Sequence, residues 1–143
     1  MAAMARADIL HALSTVKLFS ACNKRELQSV ARLCTPLTIE EGQVLTVEGT
    51  PGHECFVIAE GKATVSIGGQ PVGVVGPGDC VGEMALLDGG PRTATVTAAS
   101  TISAYVMSAR EFRSLLDLSP AIARKLATTL AQRLRAVEAQ YPH

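Results

Sequence analysis

Glu83 and Arg92 stand nine positions apart, with opposite charge, in the stretch Val81 to Val96, VGEMALLDGGPRTATV. An Arg offers a permanent positive charge in a planar fork that matches phosphate oxygens. An ionised Glu only accepts hydrogen bonds, which suits sugar hydroxyls. The spacing predicts a short helix starting near Met84 and Ala85, whose free N–H groups and positive dipole end would face an anion. Gly82 lets a ligand approach the backbone closely. The Gly89-Gly90-Pro91 turn then brings Arg92 into a β-type stretch beginning at Thr93. One anion plus one sugar satisfies all of these groups. The competing reading, a structural ion pair of Arg92 with Glu83 or Asp88, is weakened because a buried pair adds little over apolar packing.

The elements that must position these residues fall into three blocks: a helical start over 5–35, a β centre over 36–108, and helices over 109–141. In the first block, Ile9, Leu13 and Val16, then Leu27, Val30, Ala31, Leu33 and Cys34, recur at helical spacing. Asn23 with Glu26 resembles a capping box, and Pro36 closes the segment. In the centre, β-type runs at 43–47, 55–59, 63–67, 71–75, 94–97 and 102–107 are separated by glycines, the pattern of a small antiparallel, jelly-roll-like β roll. Gly68-Gly69 reads as a tight hairpin whose central residues need positive φ. In the last block, Ser108 with Glu111 is a second capping signature, and Pro120 suits a first helical position. Ile122, Leu126, Leu130, Leu134, Val137 and Tyr141 form one apolar stripe on a helix of about five turns. The fold class is therefore α+β, in one domain.

Composition narrows the partners. The 143 residues carry 13 Lys plus Arg against 13 Asp plus Glu, so no general field holds DNA or an acidic membrane. Aromatic residues are 3% with no Trp, which leaves few stacking platforms for single-stranded nucleic acid. No nucleic-acid partner and no membrane insertion are expected. Cys22, Cys34, Cys55 and Cys80 form no CxxC pair and read as small buried residues in a reducing cytoplasm. His11, His53 and His143 lack metal-ligand spacing. Only His53 lies in the β centre, so a metal-dependent enzyme on a β roll is disfavoured. No nucleophile elbow or Walker loop is present. No catalytic residue, metal or cofactor is expected.

The Val81–Val96 stretch resembles the phosphate-binding cassette of the cyclic-nucleotide-binding domain family, whose pattern is roughly G-E-x-A-L followed by P-R-[TSA]-A-[TS]-V. Gly82, Glu83, Ala85, Leu86, Pro91, Arg92, Thr93, Ala94, Thr95 and Val96 all match it. Fainter similarity extends to Leu18-Phe19, to Phe56-Val57-Ile58 before Glu60-Gly61, and to the trailing helices. The resemblance implies that Glu83 binds the ribose 2′-hydroxyl and Arg92 the cyclic phosphate. It also implies that amides near Met84 and Ala85 complete the cradle and that Thr93 contacts phosphate or base. The ligand it implies is cAMP ahead of cGMP. The final helix resembles the family's lid, with Leu134, Val137 or Arg133 as the residue over the base.

The resulting expectation is a cytoplasmic sensor that passes ligand binding through its C-terminal helices to an effector protein or a fused output domain. The chain shows no such output module of its own, and its last helix offers a seam for a homodimer. The alternative is a degenerate β roll that serves only as an interaction surface.

Overall fold

The run Cys55–Ala59 is apolar without alternation, the mark of a strand covered on both faces. The computed structural model, which describes residues 6–140, places this run in the middle of a layered structure. Its strands are β1 (Thr35–Ile39), β2 (Val44–Thr46), β3 (Glu54–Glu60), β4 (Ala63–Ile67), β5 (Gln70–Val75), β6 (Cys80–Val81), β7 (Thr95–Ala98) and β8 (Ile102–Ser108). Its helices are α1 (Arg6–Ser14), α2 (Lys24–Ala31), α3 (Glu83–Asp88), α4 (Ala109–Leu118) and α5 (Pro120–Ala139), with a single 3₁₀ turn at Lys17–Phe19. Two antiparallel four-stranded sheets, ordered β1-β8-β3-β6 and β2-β7-β4-β5, make the roll.

Alternation along β3 divides the core in two. Cys55 and Val57 point to the helices, where Leu13, Phe19, Val30, Phe112, Ile122 and Leu126 pack with them. Phe56 and Ile58 point the other way, against Ala63, Val96 and Ala98 of the second sheet. β8 repeats this division, with Tyr105 and Met107 on the helical side and Ile102 and Ala104 on the other. β3 and β8 thus bury both of their faces, and the rings of Phe19 and Phe112 meet edge to face at 5.9 Å across the helical layer.

Local signals account for most element ends. Asn23 Oδ1 accepts from Glu26 N at 2.9 Å and Glu26 Oε1 accepts from Asn23 N at 2.9 Å, so the predicted capping box forms in full. Ser108 Oγ accepts from Glu111 N at 3.4 Å, which is only half of the second one. Pro120 opens α5 as expected. Gly68 and Gly69 take φ of 58° and 80° at the β4–β5 hairpin. Two strands differ from the sequence reading. β1 starts at Thr35 and includes Pro36, which an edge strand tolerates because its missing N–H need not face a neighbour. The two-residue β6 is too short to show periodicity. Residue 5 and Tyr141, at the ends of the predicted helical blocks, lie outside the described residues.

The long helix is not covered evenly. Ile122 and Leu126 are buried, while Leu134 and Val137 remain 58% and 54% exposed. Lys125 Nζ bonds Glu26 Oε1 at 2.5 Å, joining α5 to the capping residue of α2. That bond, with the Asn23 amide, holds the Glu26 carboxyl below its ordinary value. A carboxyl depressed by folding contributes stability that is present above the unfolded value, near 4.5, and is lost as pH falls through the lower folded one. Glu26→Gln is accordingly expected to lower the melting temperature at pH 6 and to converge on the wild type near pH 3. Parallel pH-dependent melts check this, and a constant gap would contradict it.

Candidate functional site

The site is built where β6 hands over to α3. Gly82, between them, has φ 80° and ψ 22°, a left-handed conformation that other residues adopt at a cost of about 1–2 kcal/mol. It is also pressed from above, because a Cβ there would lie 2.2 Å from Arg92 Nη1 and 3.1 Å from Glu54 O. Gly52 closes the other side, where a Cβ would meet Ala85 Cβ at 2.5 Å and the Arg92 guanidinium at 3.3 Å. Two glycines thus make the slot into which the Arg92 fork fits. The backbone of Arg92 is fixed by a bond from its N–H to Thr50 O at 2.8 Å and by Gly49 N–H donating to Arg92 O at 2.8 Å.

Arg92 is 8% exposed, and its Nη1 is buried with no hydrogen-bond partner among the described residues. Buried donors are almost always satisfied, and a buried unpaired cation is costlier still. The structural ion-pair reading fails on geometry, since neither acid takes this charge. Glu83 Oε1 accepts from Arg133 Nη1 at 2.8 Å, and Asp88 Oδ1 caps Gly90 N at 2.8 Å. The guanidinium is therefore held ready for an acceptor that the chain itself does not supply. An anionic ligand fits that observation.

Beside it opens a cavity of about 220 Å³. Gly82, Glu83, Met84, Ala85, Arg92 and Thr93, the six residues picked from the sequence, all line it. Within this wall Ala85 is buried while Met84 and Thr93 are exposed. Ala85 N–H donates to Gly82 O at 3.2 Å, closing the first turn of α3. Sequence reasoning missed Thr46, Cys80 and the apolar Val81 and Val96 in the same wall. Thr46 is buried, with Oγ1 donating to Ala94 O at 3.0 Å, and its strand carries no chemical signature that could have marked it. A hydrogen bond with Cys55, reinforced by burial, holds the Cys80 thiol well above its ordinary value. It borders the cavity as an uncharged group. Cys34, pushed up to about 12 by burial and the nearby Cys80, is similarly inert, and all four cysteines are free.

The lid assignment is not matched in this arrangement. Leu134 and Val137 are exposed, outside the wall of this cavity, and Arg133, also outside that wall, is engaged with Glu83. No helix among the described residues is long and apolar enough to cross a membrane.

The two-sheet roll thus holds a buried arginine beside the start of a short helix, at the edge of a cavity. The chain belongs to the cyclic nucleotide-binding domain family, whose model matches residues 36–119. It is 36% identical over 121 residues to a cyclic nucleotide-gated potassium channel of Rhizobium etli, covering 85% of this chain and 34% of the channel. It is also similar to the N-terminal domain of a transcriptional regulator from Streptomyces coelicolor, with TM-score 0.83, 28% identity, and coverage of 92% of this chain and 98% of that one. The regulatory domain of Toxoplasma gondii PKA, solved with cAMP, superposes with TM-score 0.70 and 31% identity over 76% of this chain and 43% of that chain. The chain spans about a third of the length of the curated relatives it matches.

Proposed function

We propose that this chain binds a 3′,5′-cyclic nucleotide, cAMP ahead of cGMP, and acts as a sensor without chemistry of its own. The observation that carries the reading is the buried, partnerless Nη1 of Arg92, at a cavity that also presents Glu83. In this reading the Arg92 fork takes the cyclic phosphate, and Gly82 and Met84 bring backbone to the same anion, with Ala85, whose N–H closes the first turn on Gly82 O, lining the wall beside them. Glu83 accepts from the ribose 2′-hydroxyl, and Thr93 faces phosphate or base. The preference for cAMP draws support from the T. gondii relative, which was solved with that ligand. The reading takes residues 1–143 as one domain of a cytoplasmic protein. Its output is a change in the C-terminal helices, felt by an effector or an attached domain, and a ligand drives that change only by its differential affinity for the two arrangements.

Calorimetry of the purified chain with cAMP, cGMP and 5′-AMP tests the proposal. Saturable binding of cAMP, weaker binding of cGMP and none of 5′-AMP is the expected pattern. Absence of heat with either cyclic nucleotide at millimolar concentration would leave an interaction surface as the function.

A further inference from the structure

The two halves of α5 are secured differently. The first half buries Ile122 and Leu126 and carries the Lys125–Glu26 bond, whereas the second leaves Leu134 and Val137 in solvent. In that outer half Leu130 still packs on the core, and beyond it the Arg133 Nη1–Glu83 Oε1 bond of 2.8 Å ties the helix to the body. A second cavity, of about 160 Å³, lies around this pair and is lined also by Lys17, Asp79 and Cys80, so close packing does not hold the helix there. Glu83 and Cys80 both border the two cavities, and of the two it is Glu83 that hydrogen-bonds Arg133, so it joins the proposed ligand site to the outer half of α5.

A carboxylate has two oxygens and about four acceptor sites, and Arg133 engages one oxygen. We infer that Arg133 is a positioning residue: it fixes the Glu83 carboxylate for the ligand's 2′-hydroxyl and so sets how strongly the site prefers a ribonucleotide over its 2′-deoxy counterpart. The inference rests on the sugar-binding role proposed for Glu83. Its physical basis is ordering, since a flexible Glu loses rotamer freedom on binding, and the ion pair has already removed part of that freedom in the free protein. Coupling of this kind is reciprocal. A hydroxyl that bonds Glu83 therefore steadies the outer half of α5, which gives ligand binding a route to that helix.

The test is titration of wild type and Arg133→Gln with cAMP and with 2′-deoxy-cAMP, together with amide hydrogen exchange over 130–139. Arg133→Gln is expected to weaken cAMP roughly fivefold, the scale of a partly exposed ion pair, and to change 2′-deoxy-cAMP less than about twofold. In the wild type, cAMP is expected to slow exchange around Leu134 and Val137 more than saturating 2′-deoxy-cAMP does. This arm stands even if the variant folds poorly. Equal weakening of both ligands would reveal a merely structural role and overturn the inference. Tighter cAMP binding by the variant would also overturn it, because Arg133 would then be a competitor of the sugar, and so would equal protection by both ligands. Failure of the wild type to bind cAMP at all would overturn the sensor reading itself.

Discussion

Arg92→Ala is expected to weaken cAMP binding by about 2 kcal/mol or more, roughly 30-fold, the value of a charge-assisted contact to phosphate. The same guanidinium should contribute little to the free fold, because its Nη1 is buried without a partner. Replacing an uncompensated buried charge with an apolar side chain of similar length is often neutral or stabilising. Arg92→Met, which retains a stem to fill the slot between Gly52 and Gly82, should therefore melt at or above the wild-type temperature and still fail to bind. Paired calorimetry and thermal melts read both quantities. A Met variant that binds normally, or one that is strongly destabilised, would show that Arg92 serves the fold and not a ligand.

The second large effect is expected at Gly82. An alanine there meets two separate obstacles, the left-handed φ of 80° and a Cβ position 2.2 Å from Arg92 Nη1. The first costs about 1–2 kcal/mol of stability. The second is relieved only if the guanidinium moves, and cAMP affinity should fall by more than about tenfold, or 1.4 kcal/mol. Gly42 separates the two contributions. Its φ is 89°, but a Cβ there would meet nothing within 4 Å. Gly42→Ala should lose similar stability and keep its affinity. Equal ligand affinity in the two variants would mean that the slot around Arg92 is not what sets the site.

Of the six residues that line the cavity, Gly82, Glu83, Met84, Ala85 and Arg92 could be picked from their own chemistry, as a glycine at a close approach, an acceptor, a helix start and a fixed cation, whereas Thr93 came only from the family resemblance. The mostly apolar runs of β3 and β8 likewise encode strands packed on both sides, since burial on two faces removes the alternation that one buried face would give. What stayed hidden depends on tertiary approach. Gly52 lies outside the left-handed region, and its need for hydrogen in place of a side chain comes from Ala85 and Arg92, distant in sequence. The Arg133–Glu83 bond joins residues 50 positions apart and left no local mark. In β1, Pro36 read as a terminator because the sequence does not show which strand will lie at an edge. The α5 stripe predicted one apolar face and could not show that only its first half would be covered.

The most direct measurement is an experimental structure of the chain crystallised with cAMP. A cyclic phosphate oxygen about 2.7–2.9 Å from Arg92 Nη1, with the 2′-hydroxyl on Glu83, is the predicted arrangement. A nucleotide seated elsewhere, with Nη1 still lacking a partner, would contradict the account.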